Sequence, residues 1–203
     1  HRQTPLATRS VILDRLLSRA PKRMAQADSD VQAVFAYGTL RGDHSEKGDA
    51  WGVITSTGAA WIRASVPGFR LYQEDVATYP FALHTEKAED VLQGTILIWS
   101  RKDARQAIDR CDSIEGFDPR RPDDGLYRRA TVEVPVMMEE LLKASKDKPW
   151  LEELLIGAEK TAEITSVKLR AFVYHQPMDG REKEVVYFPS GDWIRSRDKK
   201  PHV

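Results

Sequence analysis

A glutamate set directly before a glycine, Glu115-Gly116, closes the most regular helical stretch of the chain. A carboxylate at a helix C-terminus faces the negative end of the helix dipole. Asp112 stands three residues earlier on nearly the same face and adds like-charge repulsion. Both effects, like burial, favour the neutral acid and raise its pKa. A carboxylate raised toward neutrality can act as a general base near physiological pH. A solvated acid at a helix end is the plainer reading of the same residue. A second cluster lies far away in sequence, where an apolar run stops at Tyr37-Gly38-Thr39-Leu40 and continues as Arg41-Gly42. Gly38 and Gly42 allow the backbone to turn tightly or approach a ligand. Successive backbone N–H groups there make an anion-binding concavity. Tyr37 and Thr39 add hydroxyls. An ordinary strand-to-loop turn is the alternative.

Other chemistries lack their residues. The sequence has no phosphate-cradling GxxxxGK[ST], no GxGxxG after a strand, no HExxH, no CxxC and no GxSxG. Its five histidines are scattered without metal-ligand spacing, so no metal site is expected. Cys111 lies on the apolar stripe of the central helix and reads as a buried structural thiol. Asp112 and Glu115 could form a carboxylate pair, but glycosidases need their two acids on opposite sides of a bond. Acids on one helix face point the same way.

The elements that must position these groups are mostly strands. Val31 to Tyr37 is nearly continuous in apolar residues and predicts a buried strand. Residues 58–72 give strand pieces broken at Pro67-Gly68. Val76 to His84 is extended but interrupted at Tyr79-Pro80. Val91 to Trp99 is a strand in which Gly94 marks a bulge or a close backbone approach. Ser100 with Asp103 fits a capping box. Ala104, Ala107, Ile108, Cys111 and Ile114 then recur at helical spacing until Gly116. Tyr127 to Val134 and Val167 to His175 are further strands. Residues 184–193, EVVYFPSGDW, run from a short strand into a tight turn. Between them, residues 137–163 are highly charged and marked by Leu141, Leu142, Leu151, Leu154 and Leu155. They predict two short helices around Pro149, forming an inserted arm. The predicted class is α+β, a strongly curved sheet or small barrel with helices outside it.

With 41% apolar and 31% charged residues and zero formal net charge, the 203-residue chain has a globular composition and no basic surface for nucleic acid. No apolar run approaches the roughly 18 residues that a membrane helix needs. A single cysteine excludes a disulfide framework and fits a reducing, cytoplasmic compartment. Residues 1–23 carry six Arg and Lys against Asp14 alone, with Leu13, Leu16, Leu17 and Ala20 at helical spacing. That pattern predicts a basic helical extension over residues 1–30; organelle targeting is its alternative reading.

Five short motifs resemble, in order, those of the gamma-glutamylcyclotransferase-like (AIG2-like) family. Tyr37-Gly38-Thr39-Leu40 is similar to its YGTL loop. Tyr79-Pro80, followed by the strand holding Gly94, is similar to its central segment. Asp112-Ser113-Ile114-Glu115-Gly116 is similar to its D-x-x-E-G helix end. Tyr127-Arg128-Arg129 is similar to its Y-x-R, and Ser190-Gly191-Asp192-Trp193 to its C-terminal SGDW turn. The resemblance spans about residues 31–135 and 165–195. It implies a mixed, barrel-like curved sheet with flanking helices over residues 31–195, leaving 196–203 as a tail. It also implies a chemistry without metal or organic cofactor. The free α-amine of a small γ-glutamyl compound attacks its own γ-carbonyl, giving 5-oxoproline and a free amine. By the same resemblance, Glu115 is general base and acid, and the Gly38-Thr39-Leu40 amides bind substrate oxygen. Tyr37 walls the pocket and Tyr127 bonds the substrate. Arg129 pairs with a structural acid, and residues 190–193 are architectural. The alternative is a non-catalytic binding protein on the same fold, using for its partner either the same pocket or the 137–163 arm with Leu151, Leu154 and Leu155 as anchors.

Overall fold

Strand β1 (Ala33–Ala36) is buried along its whole length, as a continuous apolar run requires, because it lies mid-sheet. The computed structural model describes residues 31–44, 52, 55–74, 77–152, 165–177 and 185–197. The chain divides into two units, His1–Val31 and Gln32–Val203. The expected N-terminal extension over residues 1–30 lies outside the described residues, and so does the tail beyond Arg197.

The remaining elements are β2 (Ala60–Pro67), β3 (Phe69–Gln73), β4 (Phe81–His84), β5 (Val91–Ile98), helix α1 (Arg101–Glu115) and β6 (Arg128–Met137). Helix α2 (Met138–Ser145), a 3-10 turn (Pro149–Leu151), β7 (Ser166–His175), β8 (Val186–Phe188) and the short α3 (Trp193–Arg197) follow. Five strands form one sheet in the order β2-β5-β1-β7-β6, parallel only between β1 and β7. Its edge strands β2 and β6 nonetheless touch, so the sheet is curled into a half barrel. A second sheet, β4-β3-β8, is linked to β7 through a bridge between Leu83 and Gln176. The class is therefore α+β with a curved mixed sheet. Ile62, Val66, Leu92, Ile96, Val134, Val173 and Trp193 fill the main core inside the curl. Helix α1 packs against β1, burying Ala104, Ala107, Ile108 and Cys111.

Several expectations need correction. Gly94 makes no bulge: β2 and β5 pair in unbroken register, with Ala64 opposite Gly94. A side chain at Gly94 would strike the Ala36 carbonyl, so close approach is the reason for glycine. The capping box does not form. Ser100 Oγ donates to Asp103 Oδ2 at 2.5 Å instead of receiving a backbone amide. Where it is described, the charged 137–163 segment holds the two short helical pieces expected around Pro149, α2 and the 3-10 turn, but they pack on the domain and leave no free arm. Strand β6 runs on to Met137, and Leu141 and Leu151 are both fully buried in the main core. Leu141 docks helix α2 and Leu151 docks the 3-10 turn after it, while the other faces stay charged. Leu151 therefore cannot anchor a partner, and Leu154 and Leu155 lie outside the described residues.

Candidate functional site

Helix α1 ends because Gly116 adopts a left-handed conformation, φ 64° and ψ 31°. Its N–H donates to the Asp112 and Ser113 carbonyls, and the Phe117 N–H also donates to Asp112 O, at 2.8 Å. Glu115 is the last residue before that stop. It is largely buried at a cavity wall, and burial pushes its carboxyl up to about 7.

Asp112 does not provide the repulsion expected from its spacing. Arg129 of β6 donates to its two oxygens at 2.9 and 2.6 Å, and the Tyr174 hydroxyl donates at 2.6 Å. The Arg129 guanidinium also lies over the rings of Phe117 and Phe172, at 4.7 and 4.1 Å. Burial raises the Asp112 pKa, against the pull of Tyr174 and Arg129. Asp112 thus clamps the end of α1 to β6 and β7. It does not line the cavity, which removes a carboxylate pair with Glu115.

Tyr37 follows β1 and is buried. Its hydroxyl donates to the Tyr174 carbonyl at 2.8 Å and accepts the Ala82 N–H at 3.2 Å. Burial, with Tyr127 and Glu115 nearby, holds it well above the usual phenol range, so it stays a neutral donor. Past Tyr37 the chain turns, and the Arg41 N–H closes on the Gly38 carbonyl at 3.1 Å. The amides of Gly38, Thr39 and Leu40 donate to no other described residue. Gly42 serves packing and does not face a ligand. Its N–H donates to Thr95 Oγ1 at 2.9 Å, and an added Cβ would run into the Trp61 indole.

Arg41, which spacing did not single out, fixes the loop from behind. It is 4% exposed and pairs with Asp43 and, at 2.8 Å, with Asp192. That bond gives the Ser190–Trp193 turn its architectural role. Gly191 there has φ 62° and sits against the Val91 carbonyl, and the Trp193 indole N–H donates to Gln73 at 3.0 Å.

These pieces enclose a cavity of about 370 Å³, within the usual range for small-molecule sites. Tyr37, Gly38, Thr39, Leu40, Glu115 and Tyr127 all line it, whereas Gly42 and Asp112 do not. Burial, then Glu115, raises the Tyr127 hydroxyl, which bonds the Gln176 side chain and stays protonated. Among the described residues no group of three or more His, Cys, Asp or Glu could hold a metal ion. No helix among them is long and apolar enough to cross a membrane.

The sequence matches the family described as "Gamma-glutamyl cyclotransferase, AIG2-like" over residues 34–195, most of the chain. The chain belongs to this family. Among solved structures, an AIG2-like protein of Mus musculus is similar at 17% identity and TM-score 0.48, over 78% of this chain and 86% of its own. An Arabidopsis thaliana protein of known solution structure shares 19% identity over 82% and 73%, with TM-score 0.47. A yeast gamma glutamyl cyclotransferase specific to glutathione shares 13% identity over 73% and 69%, with TM-score 0.43. No curated protein sequence matches significantly.

Within this AIG2-like domain the cavity also holds residues that sequence reasoning missed. Tyr174 contributes to the wall and binds both Tyr37 and Asp112. Its only sequence signal was a place in the apolar β7 run. Ile114, assigned to the buried stripe of α1, is instead 40% exposed at the cavity mouth, with Tyr79 and Leu126 beside the same opening. Cys111 is buried, and burial pushes its thiol up to about 12, which fits a structural thiol.

Proposed function

We propose that this AIG2-like protein cyclises a γ-glutamyl compound to 5-oxoproline with Glu115 as general base and then general acid. One observation carries the reading. A single carboxylate, raised to about 7 by burial, shares a small cavity with a loop whose amides have no described partner. The substrate's α-ammonium loses a proton to Glu115, and the freed amine attacks the γ-carbonyl carbon. The negative charge that develops on the carbonyl oxygen is held by the Gly38, Thr39 and Leu40 amides, donors already fixed in place by Arg41. As the intermediate collapses, the γ-carbon to nitrogen bond breaks and Glu115 gives its proton to the departing amine; the Glu115 carboxylate so restored takes the second proton of the attacking nitrogen and passes it to the released amine, which leaves as its ammonium. Tyr127 and Tyr37 remain protonated across the neutral range, which suits them to bond substrate oxygen and to wall the pocket. Proton transfer by a group near pH 7 contributes roughly 10²–10⁴-fold. Folding the substrate into its ring-closing shape supplies the other large part of the rate.

The test is 5-oxoproline release from a panel of γ-glutamyl compounds, followed by mass spectrometry, with wild type beside Glu115→Gln. Release by wild type alone establishes both reaction and base. Equal release by the two proteins removes Glu115 from the mechanism, and silence from both, when folded, removes the reaction.

A further inference from the structure

Three large apolar side chains stand exposed around the mouth of the cavity: Tyr79 at 46%, Ile114 at 40% and Leu126 at 50%. They come from separate segments: the approach to β4, the last turn of α1 and the loop before β6. Each is the chain neighbour of a residue lining the interior, Pro80, Glu115 or Tyr127. An isolated exposed leucine needs no explanation. Three apolar groups converging on the rim of one concave site are a ligand surface. The inside of the site holds the polar groups, the Glu115 carboxyl, the Tyr127 hydroxyl and the Gly38–Leu40 loop, set among Phe35, Ala36 and Pro80. The outside is apolar. A ligand that fits both has a polar head and an apolar tail.

We propose that this rim is a subsite for the leaving group, and that the substrates are γ-glutamyl amides whose released amine carries an alkyl or aryl group. The inference rests on the cyclisation reading: the γ-glutamyl head takes the polar groups of the interior, so the amide nitrogen and its substituent point to the mouth. A charged substituent there loses hydration against Tyr79, Ile114 and Leu126. Among the described lining residues the ionisable groups are Glu115, already engaged with the α-amine, and tyrosines.

Calorimetric titration of the Glu115→Gln protein with γ-glutamyl-methylamide, γ-glutamyl-n-butylamide and γ-glutamyl-4-aminobutylamide tests this. A fully buried methylene is worth about fourfold in affinity; on a half-open rim about twofold is expected, so butyl should bind about eightfold tighter than methyl. The terminal ammonium should cancel that gain. Replacing two of the rim residues, Ile114→Ser with Leu126→Ser, should shrink the butyl-to-methyl ratio to within about twofold, with an unchanged circular dichroism spectrum. A flat series, a preference for the ammonium, absence of binding, or an unchanged ratio in the rim variant overturns the proposal. Wild-type turnover of the methylamide separates the two ideas. No 5-oxoproline with an intact butyl preference refutes the cyclisation and keeps the subsite; turnover with a flat series does the reverse.

Discussion

Replacing Arg129 by leucine should strand a buried charge. The Asp112 and Arg129 side chains are 7% and 13% exposed, and Arg129 supplies two of the three hydrogen bonds that reach the Asp112 carboxylate. Leucine keeps apolar contact with Phe117 and Phe172, so the loss is mainly electrostatic. Removing one partner of a buried ion pair costs about 3–5 kcal/mol. The cost must depend on pH. Burial already raises the Asp112 pKa, and Arg129 is among the groups that hold it down, so the variant raises it further. An acid whose folded pKa lies above its unfolded value binds its proton more tightly when folded. Stability is therefore lost as pH rises from the unfolded value toward the folded one. The Arg129→Leu deficit should be smaller at pH 4 than at pH 8, because the raised pKa lets Asp112 take up its proton as the pH falls. Adding Asp112→Asn should recover most of it at pH 8, because the amide oxygen still accepts from Tyr174 and carries no charge. Urea unfolding at both pH values measures each arm. A deficit under about 1 kcal/mol at pH 8, an equal deficit at both pH values, or a double variant no better than the single one refutes the clamp.

Four further outcomes follow from the same geometry. With Glu115 pushed up to about 7, kcat/KM should rise as pH climbs through that value while the base ionises; a profile flat from pH 5 to 9 removes it. The same raised pKa makes ionised Glu115 a folding penalty above pH 7, so Glu115→Gln should be more stable than wild type at pH 8, by up to about 3 kcal/mol, and no more stable at pH 4. Chemical unfolding of both proteins checks this. Gly191→Ala places a methyl at φ 62° against the Val91 carbonyl and should cost at least about 3 kcal/mol or prevent folding, read from the thermal midpoint and soluble yield. Cys111, buried with its thiol pushed up to about 12, should resist thiol reagents at pH 8 until the protein is unfolded; fast labelling of the native protein contradicts its place in the core.

What was legible in the sequence was local. A continuous apolar run, a glycine after a polar loop and a 3.6-residue period are set by neighbouring residues. β1, the Gly38–Leu40 turn and α1 with its Gly116 stop could therefore be placed to within a few residues. The parts that hold the site still are non-local. Arg41 reaches Asp192, 151 positions away, and the Tyr37 hydroxyl reaches the Tyr174 carbonyl across 137. No periodicity encodes such pairs. Charge density misled over the 137–163 segment, because exposed Lys and Glu outnumber the two leucines that dock it. The stripe on α1 misled at Ile114 for a related reason: a helical period marks a face as apolar but does not say whether core or cavity lies opposite.

Asp112 and Glu115 show how two residues three positions apart on one helix divide two roles. Spacing alone made them a repelling pair at a negative helix end. The fold undoes both parts of that expectation. The Gly116 and Phe117 amides satisfy carbonyls of the last turn, which blunts the helix end, and Arg129 compensates the Asp112 charge. What is left to raise Glu115 is burial. A pKa raised by a like charge falls when that neighbour is lost or protonated, whereas one raised by burial persists until the wall around it opens. The wall in question is Tyr37, Tyr127 and the end of α1, and the Asp112–Arg129–Tyr174 clamp is what ties that end to the sheet. One acid is thus held by its partners so that the other, which has no ion partner among the described residues, can face the cavity at a pKa suited to moving a proton.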